Sequence, residues 1–454
     1  VKIVIVGAGE VGFHTAHQLS LENKDVVVID SDPKAIRNVS ENIDVQTITG
    51  SGSSPVVLHE AGIRNADILL AVTDRDEANL ASCLVANIIA PDIKKFARLR
   101  DGDFDSFCQR FHDNAPFIDK IINPEIEVIR TIEKLMKVPG AVDVGEFSDG
   151  RIQFIGINID EDSPVAGIRL SDISVRTKKH SPLIAAIIRN EKLIIPNGRD
   201  RILPKDVVYF ISEETRLLET LKVFNQETEP IRRALIVGAG RIGLRLARLL
   251  EKKGISTKIV EKDPVRCAAI ADELNKTIVL QGDGTDQRLL DEENIQDIDM
   301  VISLTGDDQT NILASLLAKS LGARKTITKL TKFSYFPLMT AIGIDQVVSP
   351  RLSAINTILQ HIRRGKVLSA IMIKGEQAEA IEAVAIESSG IVGKPLKHIH
   401  FPKRALITGI IRNDRIIIPS GESIIEPNDR VIIFAEKQAI PDIENKLTMK
   451  LERI

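Results

Sequence analysis

The sequence predicts an α/β protein made of two doubly wound parallel-sheet domains, each followed by a small α+β domain. Three observations predict it. Short Val/Ile/Leu runs alternate with helical stretches, a glycine-rich turn joins the first run to the helix after it, and the whole pattern occurs twice.

The repetition is direct. Ile5-Val6-Gly7-Ala8-Gly9 recurs as Ile236-Val237-Gly238-Ala239-Gly240, an offset of 231 that also carries Gly12 onto Gly243, Asp30 onto Glu261 and Asp32-Pro33 onto Asp263-Pro264. One residue later in register, Gly50 and Gly52 match Gly282 and Gly284, Thr73 matches Thr305 and Asn79 matches Asn311. The offset then shrinks to 226 (Pro124 onto Pro350) and to 223 (Arg189-Asn190 onto Arg412-Asn413), without a break in order. Two halves of about 225 residues account for this.

Within the first half, KIVIV, DVVVID, DILLAVT and KKFARL are continuous apolar runs, as a parallel sheet buried on both faces requires. Later runs differ. RIQFIGINI is followed by the close pair PLIAAIIR and KLIIP, joined at Asn190-Glu191, and then by DVVYFI, which reads as a hairpin-containing small domain. The expected domains are 1–138, 139–224, 232–366 and 367–454, with the polar segment Asn225 to Arg233 as the linker between halves. Ile122 to Val138, after the first sheet, is the expected hinge.

Gly7-x-Gly9-x-x-Gly12 follows a strand and opens an amphipathic helix, the setting of a dinucleotide fingerprint, so the sheet domains read as Rossmann-like. Gly7 permits the tight turn, Gly9 lets the backbone approach a pyrophosphate, and Gly12 lets helix and strand pack closely. Unpaired N–H groups at the helix start, with the positive end of its dipole, suit a phosphate. Eighteen residues beyond the third glycine of each half, a strand ends in an acid, Asp30 or Glu261. A carboxylate there accepts from ribose hydroxyls and repels a 2′-phosphate, which favours NAD(H) over NADP; ATP or ADP would use the same features. The third expected strand ends at Thr73-Asp74, or Thr305-Gly306, at the carboxyl edge where such sheets bind ligands. Arg98, matched by Lys329, also follows an apolar strand; the spacing fits a residue that reaches phosphate or ribose and equally a plain surface cation.

Composition narrows the classes. The chain has 454 residues, enough for about three domains at roughly 150 residues each. Net charge is −3, and aromatics are 4% with no Trp, so neither a basic nucleic-acid surface nor a base-stacking platform is expected. No apolar run approaches the roughly 18 residues of a membrane span, and the first residues read as a strand entering a glycine loop rather than as a leader. A cytoplasmic chain is expected, and any work at a membrane would be done as a bound guest.

No catalytic set stands out. His14 and His17 become Arg245 and Arg248 in the second half and read as a solvated helix face. His398 and His400 lack a completing ligand cluster, and Cys83, Cys108 and Cys267 are scattered, so no metal site is expected. Asp74-Arg75-Asp76-Glu77 suits a helix N-terminus. There is no lysine-bearing phosphate loop for ATP hydrolysis. Two nucleotide sites without acid–base partners suggest a sensor rather than an enzyme. An NAD-dependent oxidoreductase with an unrecognised pocket is the alternative, and a soluble nucleotide-sensing scaffold a third reading.

These motifs, with Gly282-Asp283-Gly284-Thr285-Asp286 and the small trailing domain, resemble RCK (also KTN) domains, and the tandem order over the whole chain resembles the TrkA-type regulatory subunits of bacterial and archaeal Trk potassium uptake systems. The resemblance implies NAD(H) or adenine nucleotides as ligands, and a ring of four chains on the cytoplasmic face of a membrane potassium channel subunit. It further implies that Gly7, Ala8, Gly9, Glu10, Val11, Asp30, Thr73, Asp74 and Arg98 line a first site. Gly238, Ala239, Gly240, Arg241, Ile242 and Glu261 would line a second. Gly50-Ser51-Gly52-Ser53 departs from the acidic form in the second half, so the two pockets are expected to differ.

Overall fold

The computed structural model describes residues 1–100, 117–138, 140–176, 182–190, 192–226, 229–344, 346–362, 367–373, 378–402, 404–413 and 415–448. Cys108 and Glu191 lie outside the described residues. No helix among them is long and apolar enough to cross a membrane.

The first sheet domain contains β1 (Lys2–Val6), α1 (Glu10–Leu21), β2 (Asp25–Asp30), α2 (Pro33–Asn42), β3 (Gln46–Thr49), α3 (Pro55–Glu60), β4 (Ile68–Ala71), α4 (Asp76–Ile89), β5 (Lys94–Arg98) and β6 (Lys120–Ile122). Its six strands are ordered β3-β2-β1-β4-β5-β6 and all pair in parallel. The strand order reverses beside β1, so a crevice opens between the carboxyl ends of β1 and β4. Val4, Val27, Ile29, Leu69 and Ala97 form its core with Leu58, Cys83 and Ala86 from the helices.

α5 (Pro124–Lys137) follows, then a small domain of β7 (Ala141–Phe147), β8 (Ile152–Asn158), α6 (Leu170–Arg176), β9 (Leu183–Arg189), β10 (Lys192–Ile194), β11 (Val207–Glu213) and α7 (Leu217–Val223). This sheet is antiparallel, ordered β10-β9-β11-β8-β7. Asn190 turns the β9–β10 hairpin at φ +48°, a left-handed conformation that asparagine tolerates.

The second half repeats the plan with β12 (Arg233–Val237), α8 (Arg241–Lys252), β13 (Ser256–Glu261), α9 (Pro264–Glu273), β14 (Ile278–Gln281), α10 (Gln287–Glu292), β15 (Met300–Ser303), α11 (Asp308–Ser320), β16 (Lys325–Lys329), α12 (Phe336–Ala341) and β17 (Gln346–Val348). The sheet order is β14-β13-β12-β15-β16-β17. After α13 (Pro350–Ile362) come β18 (Val367–Ile373), β19 (Ala378–Val384), β20 (Ala405–Arg412), β21 (Arg415–Ile417), β22 (Arg430–Glu436) and α14 (Ile440–Thr448), with sheet order β18-β19-β22-β20-β21.

DVVVID and DILLAVT are consecutive apolar runs, but the structure inserts β3 between them, so DILLAVT supplies the fourth strand and not the expected third. β3 is a four-residue edge strand with no fully buried residue, and it carries no apolar run. The small sheet likewise gains β7, whose AVDVGEF mixes charge with apolar residues.

The chain divides into two compact units, Val1–Glu127 with Pro350–Arg364, and Val128–Ser349 with Gly365–Ile454. Residues 122–138, the expected hinge, are mostly the helix α5. From Val128 on, α5 belongs to the second unit, where Val128, Ile132 and Leu135 join the core of the second sheet domain. α13 belongs to the first unit and packs on α1. In the second unit the faces of the two small sheets share a core in which Phe154 stacks on Tyr209 and Phe434, with ring centroids 5.6 and 5.9 Å apart.

Candidate functional site

The first crevice is set by its glycines. Gly7 has φ +110°, and a Cβ there would lie 2.8 Å from the Thr73 nitrogen; a Cβ on Gly12 would lie 1.8 Å from the Gly7 oxygen. Neither position admits a side chain. Gly9 differs, because a Cβ there meets nothing within 4 Å. The space over Gly9 is open, as a pyrophosphate requires. Gly9 is also the N-cap of α1 and offers no side-chain cap, so the first-turn N–H groups of Glu10, Val11 and Gly12 face the crevice.

Asp30 ends β2 with its carboxylate turned back onto the loop. Oδ2 accepts the Ala8 N–H at 2.6 Å and Oδ1 accepts the Asp32 N–H at 2.8 Å. One lone pair remains on each oxygen, which fits the vicinal hydroxyls of a ribose.

Thr73 and Arg98, from the ends of β4 and β5, are held by a residue the sequence reading used only to align the halves. Asn79, fully buried in α4, accepts from the Thr73 N–H at 2.8 Å and the Thr73 hydroxyl at 2.7 Å. It donates to the carbonyls of Thr73 at 3.1 Å and Arg98 at 2.8 Å. The N–H, hydroxyl and carbonyl of Thr73 are thus all engaged by Asn79, which fixes the loop after β4 at the edge of the crevice. The signal for Asn79 was its recurrence as Asn311 at the offset of Thr73. The Arg98 Nε is buried with no hydrogen-bond partner among the described residues, and burial, then the neighbouring Arg100, lowers its pKa. Asp74 is exposed, and its carbonyl accepts from the Arg100 guanidinium. Asp76 and Glu77 lie in the first turn of α4, as expected for a helix start, and Asp76 accepts the Arg100 N–H at 2.8 Å.

The second crevice repeats these devices. Gly238 has φ +100°, a Cβ on Gly243 would lie 2.1 Å from the Gly238 oxygen, and space over Gly240 is open. Arg241 and Ile242 begin α8 behind Gly240, which again supplies no side-chain cap. Glu261 accepts from Ala239 at 2.9 Å through Oε2, and from Lys262 at 2.8 Å and Asp263 at 3.0 Å through Oε1. Asn311 clamps Thr305 and the carbonyl of buried Lys329 as Asn79 clamps its own pair.

The loops after β3 and β14 differ, as their sequences anticipate. In the first half Ser51 and Ser53 hydroxyls lie 2.9 Å apart. In the second, Asp283 accepts from the Thr285 N–H at 2.9 Å and hydroxyl at 2.7 Å, and from the Lys262 ammonium at 3.0 Å. These bonds bring the Asp283 pKa down to about 2. Arg266 also donates from Nε to the Ala239 carbonyl at 2.6 Å, where the first half has Ala35.

His14 and His17 depart from the expected solvated face; both are half-buried, on the helix that α13 packs against. Cys83 is fully buried, and desolvation pushes its thiol up to about 12. Cys267 is buried beside Glu261, whose carbonyl lies 3.3 Å from Sγ. Among the described residues, no group of three or more His, Cys, Asp or Glu is placed to hold a metal ion.

Two domain families match this chain twice each. TrkA-N domain models cover residues 3–124 and 234–350, and TrkA-C domain models cover 154–225 and 381–448. The Trk system potassium uptake protein TrkA of Azorhizobium caulinodans is 36% identical over 458 residues, spanning 99% of both chains. TrkA homolog 2 of Methanosarcina mazei is 38% identical over 98% of this chain and 99% of its own. Among solved structures, the GsuK RCK domain superposes with a TM-score of 0.58 at 19% identity, covering 98% of this chain and 94% of that one. The GsuK channel bound to NAD gives 0.58 at 18% identity, over 98% and 78%. At that identity the likeness concerns fold, and it agrees with the tandem sheet-and-small-domain plan seen here. With all four domains matched and identity sustained over nearly the whole length, the chain belongs to the TrkA family.

Proposed function

We propose that this chain is the nucleotide-binding regulatory subunit of a potassium uptake system. In this reading it binds NAD(H), with ATP or ADP as competing ligands, and its conformational response gates a membrane potassium-conducting partner. Four chains form a ring on the cytoplasmic face of that partner.

The observation that carries the reading is the doubled cradle. Asp30 and Glu261 are each bonded to the alanine N–H of their own glycine loop, beside an open glycine and an uncapped helix start. Such a site binds a dinucleotide or nucleotide without supplying chemistry to it. The names of full-length relatives give potassium uptake as the process. The NAD-bound GsuK channel offers the analogy for ligand and gate.

The energetics set a requirement. A ligand that binds two shapes equally shifts nothing, and moving a two-state ring from 1:99 to 99:1 takes about 5.5 kcal/mol of differential binding. Four chains with two cradles each would share that demand at under about 1 kcal/mol per site.

The test is potassium uptake at low external potassium in cells lacking other importers, with the intact chain or an Asp30→Ala Glu261→Ala variant. Uptake restored by the first and not the second is expected. Equal restoration would remove nucleotide control, and no dependence on the chain would remove transport. Turnover of NADH by the purified chain with a small metabolite would favour an oxidoreductase instead.

A further inference from the structure

The phosphate end of the first cradle carries an acid, Glu10, that pairs with a cation from a distant part of the chain. Glu10 is the first residue of α1, beside the open space over Gly9. A carboxylate there suits the bare helix dipole but opposes an incoming phosphate. Its partner comes from 341 residues away: the Arg351 guanidinium, in the first turn of α13, is ion-paired with Glu10. Both lie in the same compact unit. The Arg351 side chain is two-thirds covered, and burial lowers its pKa, so this cation sits where electrostatic effects are strong.

The duplication gives an internal comparison. At the offset of the glycine loops, Glu10 is replaced by Arg241; at the offset of the helices after the sheets, Arg351 corresponds to Glu125. The second half therefore carries a cation in its own helix start, whereas the first half has an anion there and receives its cation from α13.

We infer that Arg351 is the phosphate-reading residue of the first cradle, exchanging Glu10 for the phosphate chain of a bound nucleoside di- or triphosphate. The planar guanidinium suits this exchange, because it can grip phosphate as it grips carboxylate, with paired N–H donors. The charge of the ligand is thereby felt by α13. This inference rests on the nucleotide reading given above and adds to it the residue that senses phosphate charge.

The experiment measures binding of ADP and of adenosine to the full chain by equilibrium dialysis in a Glu261→Ala background. Loss of the remaining binding on adding Asp30→Ala assigns that signal to the first cradle. Arg351→Ala is expected to weaken ADP by about tenfold or more while leaving adenosine unchanged. Adding Glu10→Gln to Arg351→Ala is expected to restore part of the ADP affinity, since the uncompensated anion is gone while the guanidinium–phosphate contact stays lost. Unchanged ADP binding in Arg351→Ala would overturn the inference. So would a double variant as weak as the single one for both ligands, which would mean that Arg351 only holds α13 in place. A parent chain that binds neither ligand at either cradle would overturn the nucleotide reading itself, and this inference with it.

Discussion

The side-chain amide of Asn79 donates to the Arg98 carbonyl at 2.8 Å, and so ties the helix after β4 to the end of β5. The same side chain holds Thr73 through three bonds, which fixes the floor of the crevice at the switch in strand order. Asn79→Ala would leave the Thr73 N–H and the Arg98 carbonyl without these partners in a buried setting. A loss of about 3 kcal/mol is expected, read as an earlier first transition in urea unfolding. An Asn79→Ala chain that unfolds like the parent would contradict the clamp.

The glycines of one motif separate into two kinds. Gly12→Ala pushes a methyl group into the Gly7 carbonyl and should destabilise by about 1–3 kcal/mol or more. Gly9→Ala meets open space and should leave thermal stability near that of the parent while weakening nucleotide binding. Melting curves and a binding titration on the two variants check the contrast; equal stability loss in both would contradict it.

Asp283 provides a pH test. Its folded-state pKa is lowered to about 2 by the Thr285 bonds and then by Lys262, below the usual 3.8. A depressed acid stabilises the fold above its unfolded pKa and loses that contribution as pH falls through the folded value. The stability gap between the parent and Asp283→Asn should therefore be constant above about pH 5 and close between about pH 4 and pH 2. Thermal melts across that range measure it, and a gap that persists at pH 2 would contradict the assignment.

In the second unit, Glu382 is 1% exposed and joins the two small domains. It accepts from the Ser148 hydroxyl at 2.7 Å and N–H at 3.1 Å, and pairs with Arg430 at 2.8 Å. Glu382→Ala leaves Arg430 without this carboxylate and should cost about 3–5 kcal/mol. Urea unfolding with a probe in the small domains checks this. Ser148→Ala, which removes one hydroxyl and keeps the ion pair, should cost only about 1 kcal/mol.

Much of the architecture was legible because a buried parallel sheet needs continuous apolar runs, and β1, β2, β4 and β5 supply them. β3 and β7 were not, since an edge strand such as QTIT or a mixed one such as AVDVGEF lacks that signature. The cradle residues were legible where backbone geometry demands a residue type: Gly7, Gly12 and the acids that answer the alanine N–H groups. Asn79 was harder, because a buried asparagine on an apolar helix face looks like any polar residue until its partners on two other strands are known. The half-burial of His14 and His17 and the Glu10–Arg351 pair were not legible at all. The pair follows from α13, a helix more than 300 residues away that packs on α1 and that local pattern assigns to the other half.

The central claim is that both cradles hold a nucleotide, and counting bound ligand tests it most directly. Isothermal titration of NADH and of ADP into the purified chain should give two sites per chain, falling to one in either Asp30→Ala or Glu261→Ala and to none in the double variant. Gly9→Val with Gly240→Val, which fills the open space and keeps both carboxylates, should also abolish binding in a folded chain. No binding by the parent, or an undiminished count in the double variants, would contradict the account.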